Sequence, residues 1–567
     1  MIAKELEQEI KLLKSPSILS RTKIDGDKYS FELVGKQNSW NISLWFPVNF
    51  PYCLPSARLL DKQFIGIIPH VNRYGTICIE ESDTVLLDYE RPSDIIDAYL
   101  EDALNLLERA KLKIYQDELF DEYEGYFGFY QKVNSFYHAQ DKLEHVSLKL
   151  MYRANNRQQK FAIPILLYDK SHAFPKNFSN VSNTNSLQVV NVIHLPLIES
   201  VLPPNHGNEI TATYVDTIKD NVTEKNIFKL NKLLKKAKNK NQFFVLLTMP
   251  RSSGERSQLL LQYTTDQSLK HPLAELNTGW KVTSYLINRH NKEYLLERGG
   301  ADNSLINKKV SIIGCGSVGG EVAALLAKGG VGELTLIDNE GLEADNIYRH
   351  RLGGDHLNFI PNSKSGTVTR VYKVNAIAAE LSGELPYIKI NPKHVEFNKV
   401  TSDNDFLNSD VVIVAVGSPT TSLLMNKKLK SLGLNKVIFC WNEAAGYGGH
   451  SLALDLELNC LECIYTSENG FTVESDISLL KLGQNISKNL TGCSGVFTPF
   501  SYLDSTQTAI QAAKQCIDLL LENKHSKALS WKGDNNKNLE VTDRFTRMPL
   551  KEEILLSRKN KCRVCND

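Results

Sequence analysis

The sequence predicts an α/β protein of three domains, the last built on a mainly parallel sheet with covering helices. Three observations carry that prediction. Over residues 309–349 an apolar run, 310–313, meets Gly314, Gly316 and Gly319, then a helix-like stretch and a second strand-like run, 333–337, that closes on Asp338. A helix-like segment at 368–381 and strand-like runs at 410–416 and 436–439 continue the alternation that builds parallel sheets. The length, 567 residues, also exceeds what a single hydrophobic core serves.

Composition narrows the class. Hydrophobic residues make up 42% and charged residues 23%, ordinary for a soluble globular chain. Sixty-six basic and sixty-five acidic residues leave a net charge of +1, which gives no global field toward nucleic acid or anionic membrane. The opening stretch is amphipathic and mixes both charges, unlike a secretory signal, and no apolar run is long enough to span a bilayer. Ten cysteines are too sparse for a disulfide-stapled fold. A cytoplasmic protein without direct nucleic-acid or membrane contacts is expected.

Residues 1–135 read as a compact α/β unit. A helix over about 2–13 precedes strand-like runs at 29–33 and 40–45, and Pro47, Pro51 and Pro55 then punctuate an irregular passage. The loop 70–81 contains Thr76, Ile77 and Cys78. Pro92 then opens a helix whose apolar positions, Ile95, Ile96, Tyr99, Leu100, Ala103, Leu104 and Leu107, have the spacing of one buried face. These residues resemble the ubiquitin-conjugating (E2) fold in Phe46-Pro47, in His70-x-Asn72 where that family has a His-Pro-Asn turn, and in the strip Gly75 to Cys78. The resemblance implies Cys78 as thioester nucleophile, Asn72 near the oxyanion or organising the loop, and His70 as a structural member of the turn. Val71 replaces the family's proline, and the loop is two residues shorter. Taken by itself Cys78 has a plainer reading, a buried and inert thiol, because a transfer cysteine needs exposure and a thiolate fraction.

Residues 136–300 carry strand-like runs at 161–168, 187–197 and 243–248, read as an α/β spacer. Its lysines Lys235, Lys236, Lys238 and Lys240 read as a solvated helix end or loop, since no aromatic side chains interleave with them as in a nucleic-acid patch.

Residues 301–567 hold the nucleotide fingerprint. A glycine turn between strand and helix presents free N–H groups to a phosphate, and an acid at the end of the next strand takes a ribose hydroxyl. With Asn346, Arg349 and Lys364 added, this Rossmann-like region resembles the ubiquitin-activating (E1) family and the bacterial enzymes that adenylate sulfur-carrier proteins. The resemblance implies ATP held by Gly314, Gly316, Gly319 and Asp338, with Asn346, Arg349 and Lys364 on its phosphates, and Mg2+ beside them. Gly417-Ser418 stand where that family often has a magnesium-binding Asp, so another carboxylate is expected to serve, Asp410 among them.

Two CxxC pairs, Cys460/Cys463 and Cys562/Cys565, supply four sulfurs, the set a structural tetrahedral Zn2+ takes. Cys493 lies between Gly492 and Ser494 among small residues that leave a thiol accessible. It resembles the E1 catalytic cysteine; the plainer reading is a loop cysteine packed near the metal-bearing end.

An E2-like domain ahead of an E1-like domain resembles the conjugating enzymes of bacterial cyclic-oligonucleotide (CBASS) antiphage systems. That implies adenylation of the C-terminal tail of a CD-NTase-like cyclic-nucleotide synthase, relay through Cys493 and Cys78 to an acceptor amine, and a homodimer. Two rival readings are a sulfur-carrier adenylyltransferase whose E2-like domain only docks, and a nucleotide-sensing scaffold without chemistry.

Overall fold

The computed structural model describes residues 3–566 except 66–67, 80–84, 113–115, 128–130, 140–146, 154–160, 162, 170–186, 205–209, 253–254, 277–278, 358–370, 491–495, 522–525 and 536–538. They form two compact units that meet in sequence at Tyr294 and Leu295. Among the described residues no helix is long and apolar enough to cross a membrane.

The first unit opens with an antiparallel meander, β1 (Ile18–Asp25), β2 (Lys28–Val34), β3 (Ser39–Trp45) and β4 (Ser56–Leu59), paired in that order. Alternation along β2 and β3 buries Tyr29, Phe31 and Leu33, then Trp40, Ile42 and Leu44. These side chains share one core with Leu6 and Ile10 of the helix Ala3–Leu12 and the apolar stripe of the helix Pro92–Ala110, as the spacing predicts. Strand β1 escapes the sequence reading: only its first residue is not fully exposed, so it has no apolar alternation and is defined by its pairing with β2.

The rest of this unit is a closed barrel. Its strands are β5 (Lys132–Ser135), β6 (Leu148–Arg153), β7 (Ile163–Asp169), β8 (Leu187–Pro196), β9 (Lys240–Met249), β10 (Ser257–Leu269) and β11 (Lys281–Arg289), closing in the order β10-β11-β5-β7-β6-β8-β9. The helices Ala212–Ile218 and Glu224–Lys236 pack against β8, β9 and β10. Lys235 and Lys236 lie exposed in the last turn of the second helix, the solvated end expected of them.

The second unit is an eight-stranded sheet in the order β14-β13-β12-β15-β16-β17-β22-β23. The first five in that row run parallel: β14 (Lys389–Lys393), β13 (Glu333–Ile337), β12 (Lys309–Ile313), β15 (Val411–Val414) and β16 (Lys436–Asn442). Antiparallel β17 (Gly448–Asp455), β22 (Lys527–Lys532) and β23 (Lys551–Leu555) extend it. Two short ribbons, β18 (Thr466–Ser467) with β19 (Gly470–Phe471) and β20 (Lys488–Asn489) with β21 (Val496–Phe497), stand outside it. The helix expected at 368–381 runs Lys373–Glu384, and Lys364 lies outside the described residues.

The expectation for Asp410 is corrected. Its backbone and carboxylate bond to Lys309 at the starting ends of β15 and β12. The glycine turn leaves the opposite end, about 13 Å away by strand rise.

Candidate nucleotide, thiol and metal sites

Order reverses at β12: β13 lies on one side and β15 on the other, so the carboxyl ends of the strands open a crevice where α/β sheets take ligands. An open cleft of about 380 Å³ lies there, lined by Gly314, Gly316, Asp338, Glu340, Glu396 and Gly417 among others. Gly314 has φ 85°, and Gly316 caps the helix Ser317–Lys328. A Cβ on Gly319 would fall 1.9 Å from the Gly314 carbonyl oxygen, so only glycine lets helix and turn approach this closely. Asp338 accepts the Cys315 N–H at 2.6 Å and the Glu340 N–H at 2.7 Å. Each carboxylate oxygen keeps a further lone pair for a hydroxyl. The shape and donors of this cradle fit a nucleotide, whose phosphate would meet the helix N-terminus.

Two groups around the turn are not legible in the sequence. His350, buried, donates from Nε2 to the Cys315 carbonyl at 2.8 Å and accepts the Leu352 N–H at Nδ1, 3.0 Å. Burial, foremost, pulls its pKa down to about 4, so it props the turn as a neutral ring. Lys373 is buried at the first turn of its helix and pairs with Glu340. Its charge acts on both Cys315 and His350. A lysine among the apolar positions of the helix-like segment 368–381 was its only sequence signal. Arg349 precedes His350 and lies 5.3 Å from the Phe500 ring centroid. The Asn346 side chain closes a capping box by accepting the Glu343 N–H at 3.1 Å.

In the first unit the strip Gly75 to Cys78 runs along β4. Leu59 donates its N–H to the Gly75 carbonyl at 2.7 Å, and Ile77 donates to Ala57 at 3.0 Å. Ile77 points into the core, so extended backbone turns Cys78 outward, and its thiol is exposed. The Asn72 Oδ1 accepts the N–H groups of Tyr74, 2.9 Å, and Thr76, 3.1 Å, the role of a loop organiser. His70 accepts the Cys78 N–H at its carbonyl, 2.8 Å. Its ring meets Glu118 at 2.9 Å and Glu122 at 2.8 Å, partners that sequence reading missed because they lie some fifty positions away. Beneath the strip the Tyr99 hydroxyl is pushed up to about 12, by burial above all and further by charge on Cys78, so it stays a neutral phenol.

The four CxxC cysteines come together although 102 residues separate Cys460 from Cys562. All are buried, their sulfurs lie within 4.8 Å of one another, and the Cys460–Cys562 and Cys463–Cys565 pairs stand at 3.5 and 3.7 Å. Those spacings are far too long for disulfides. They match the edges of a sulfur tetrahedron with arms of about 2.3 Å. Asn426, fully buried, gives its oxygen to the Leu461 N–H at 3.0 Å, and its amide nitrogen is buried without a hydrogen-bond partner among the described residues. The donor set therefore fits a closed Zn2+ site that ties the helix Arg563–Asn566 to the turn Leu461–Tyr465. Cys493 lies outside the described residues, between paired β20 and β21.

Residues 17–136 match the prokaryotic E2 family B, and residues 292–540 match the ThiF family. Fold and sites thus define an E2/E1 fusion, a conjugating-type region followed by an activating-type region. Its particular likeness is to proteins described as ATP-dependent ubiquitin transferase-like protein Cap2. That of Pseudomonas aeruginosa is 23% identical over 42% of this chain and 41% of its own length, and that of Escherichia coli 24% identical over 36% and 33%. An adenylyltransferase and sulfurtransferase, UBA4, of Yarrowia lipolytica is 27% identical over 24% of this chain and 32% of its own. The chain spans less than half the length of each of these relatives.

Proposed function

We propose that the chain activates the C-terminal carboxylate of a protein with ATP and conjugates it to an amine. The observation that carries this reading is the pairing, in one chain, of a nucleotide cleft of ThiF type with an exposed cysteine on an E2-type strip. A carboxylate oxygen attacks the α-phosphorus of ATP as the bond to pyrophosphate breaks. The Cys493 thiolate takes the acyl carbon from the adenylate, releasing AMP; the Cys78 thiolate takes it next, and a lysine amine then displaces Cys78 to leave an amide. Gly314, Gly316, Gly319 and Asp338 would cradle ATP, with Arg349 and Lys373 as cations for the charge that grows on phosphate. Asp338, Glu340 and Glu396 are the carboxylates of the cleft within choice for Mg2+.

The names of the Cap2 relatives support a protein as substrate. The tail of a CD-NTase-like cyclic-nucleotide synthase, in antiphage defence, is the substrate we assign. An exposed thiol outside any disulfide suits the reducing cytoplasm. Exposed Leu503 and Ile510, seven apart on the helix Tyr502–Leu520, offer an apolar face for a homodimer.

The name of the UBA4 relative favours a second reading, sulfur-carrier adenylation with Cys78 idle. Intact-mass analysis after incubation with ATP and the synthase decides between them. Cys78→Ala is expected to keep an adduct on Cys493 and lose the amide product; normal conjugation by that variant would overturn the relay. Lys373→Met and Arg349→Ala should each slow ATP–pyrophosphate exchange by about a hundredfold.

A further inference from the structure

The helical segment that follows the E2-type core touches two parts of the first unit. Glu118, in the helix Gln116–Asp121, and Glu122 just beyond it are four residues apart and so share a side. Both face His70: Glu118 reaches Nε2 at 2.9 Å, and Glu122 reaches Nδ1 at 2.8 Å and also takes the His70 backbone N–H at 2.8 Å. Its further contacts are with the barrel. Asp121 accepts the Ser252 N–H at 2.9 Å, Glu124 pairs with Arg289 of β11 at 2.5 Å, and Tyr123, fully buried, places its hydroxyl 3.3 Å from that of Tyr214.

His70 is where these contacts act. Its φ of 62° is a left-handed conformation that a non-glycine residue occupies at a cost, and it persists where the surroundings over-determine it. The three contacts from Glu118 and Glu122 do so, and the His70 carbonyl that results holds the Cys78 N–H.

We propose that residues 116–127 are a strut through which the barrel sets the position of the Cys78 strip, with Glu118 and Glu122 as positioning residues that act through His70. The barrel is then part of the transfer site's support rather than a spacer. This deepens the reading of Cys78 as an acyl carrier and rests on it.

The charged groups around the His70 ring are Glu118, Glu122 and, 3.7 Å from Glu118, Arg109 of the helix Pro92–Ala110. The hydrogen bond from Glu122 is the largest influence raising the His70 pKa above its ordinary 6.5; burial opposes it and Glu118 adds to it. The clamp is therefore complete below that ordinary value and weakens as pH rises through the raised one.

Hydrogen exchange of the peptide carrying Cys78, read by mass spectrometry on the full chain and corrected for intrinsic pH effects, tests the strut without ATP or carrier. Exchange at the Cys78 N–H is expected to rise about tenfold in Glu118→Gln/Glu122→Gln and in Asp121→Asn, since each loosens the His70 carbonyl that accepts it. The onset of exchange with pH should move to lower pH in the double variant only, and ATP–pyrophosphate exchange should be unchanged in both. Wild-type protection in the double variant would overturn the clamp, and wild-type protection in Asp121→Asn would overturn the link to the barrel. Failure of the wild-type chain to load Cys78 would instead overturn the relay and leave these results standing.

Discussion

Gly319→Ala is expected to abolish nucleotide binding by the second unit. The added methyl carbon would lie 1.9 Å from the Gly314 carbonyl oxygen and 3.2 Å from the Ala415 Cβ, and the nearer atom is backbone. Relief requires the helix Ser317–Lys328 to lift from β12, yet its inner face is buried along most of its length. It also requires the turn to move, which pulls the Cys315 N–H from Asp338 and the Cys315 carbonyl from His350. Overpacking alone costs about 1–3 kcal/mol, and two broken bonds add about 1 kcal/mol each. Gly316→Ala makes the control: nothing lies within 4 Å of its Cβ, so the fold should stand while the methyl intrudes on the ligand. Calorimetric titration with ATP and thermal unfolding separate the two. Gly319→Ala should lose affinity and stability together, Gly316→Ala affinity alone. Wild-type affinity in Gly319→Ala would remove the glycine turn from the binding site.

Stripping the four-cysteine site is expected to have the second large effect. Zinc bound by four thiolates contributes on the order of 10 kcal/mol to the state that assembles them. Without it four buried sulfurs face one another, and the bonds of Arg563 to Glu462 and the packing of Leu461, Ile464 and Val564 are left to hold the two segments together. Elemental analysis should find one zinc per chain. Chelation, or Cys562→Ser, should lower the melting temperature of the second unit by about 10 °C or more. Cys516→Ser, at a buried cysteine outside the cluster, should keep the zinc. A chain that purifies without metal and melts unchanged after chelation would reject the site.

Legibility followed the distance over which each signal acts. The glycine turn, Asp338 and each CxxC pair are spacings of a few residues, and Cys78 stands in a strip whose alternation is visible locally. The helix Pro92–Ala110 was legible for the same reason. What escaped depends on partners elsewhere in the chain. β1 has almost no buried side chain and exists through its bonds to β2. In β10 nine consecutive residues are buried, Gln258, Gln262 and Thr264 included, so its polar letters conceal a strand enclosed by the barrel. Lys373 fell inside the helix read at 368–381 and drew no notice until the fold brought Glu340 beside it, and Asp410 was assigned to the wrong end of a strand whose direction only pairing reveals.

The sulfur cluster has one more consequence, for how the chain comes apart. Joined through a metal at Cys460 and Cys562, the backbone between them becomes a ring, of which β20, β21 and the helix Tyr502–Leu520 are parts. Peeling from the carboxyl end therefore stops at the clasp. A carboxypeptidase should trim the chain no further than Cys565 while the clasp holds, and continue past β23 once it opens.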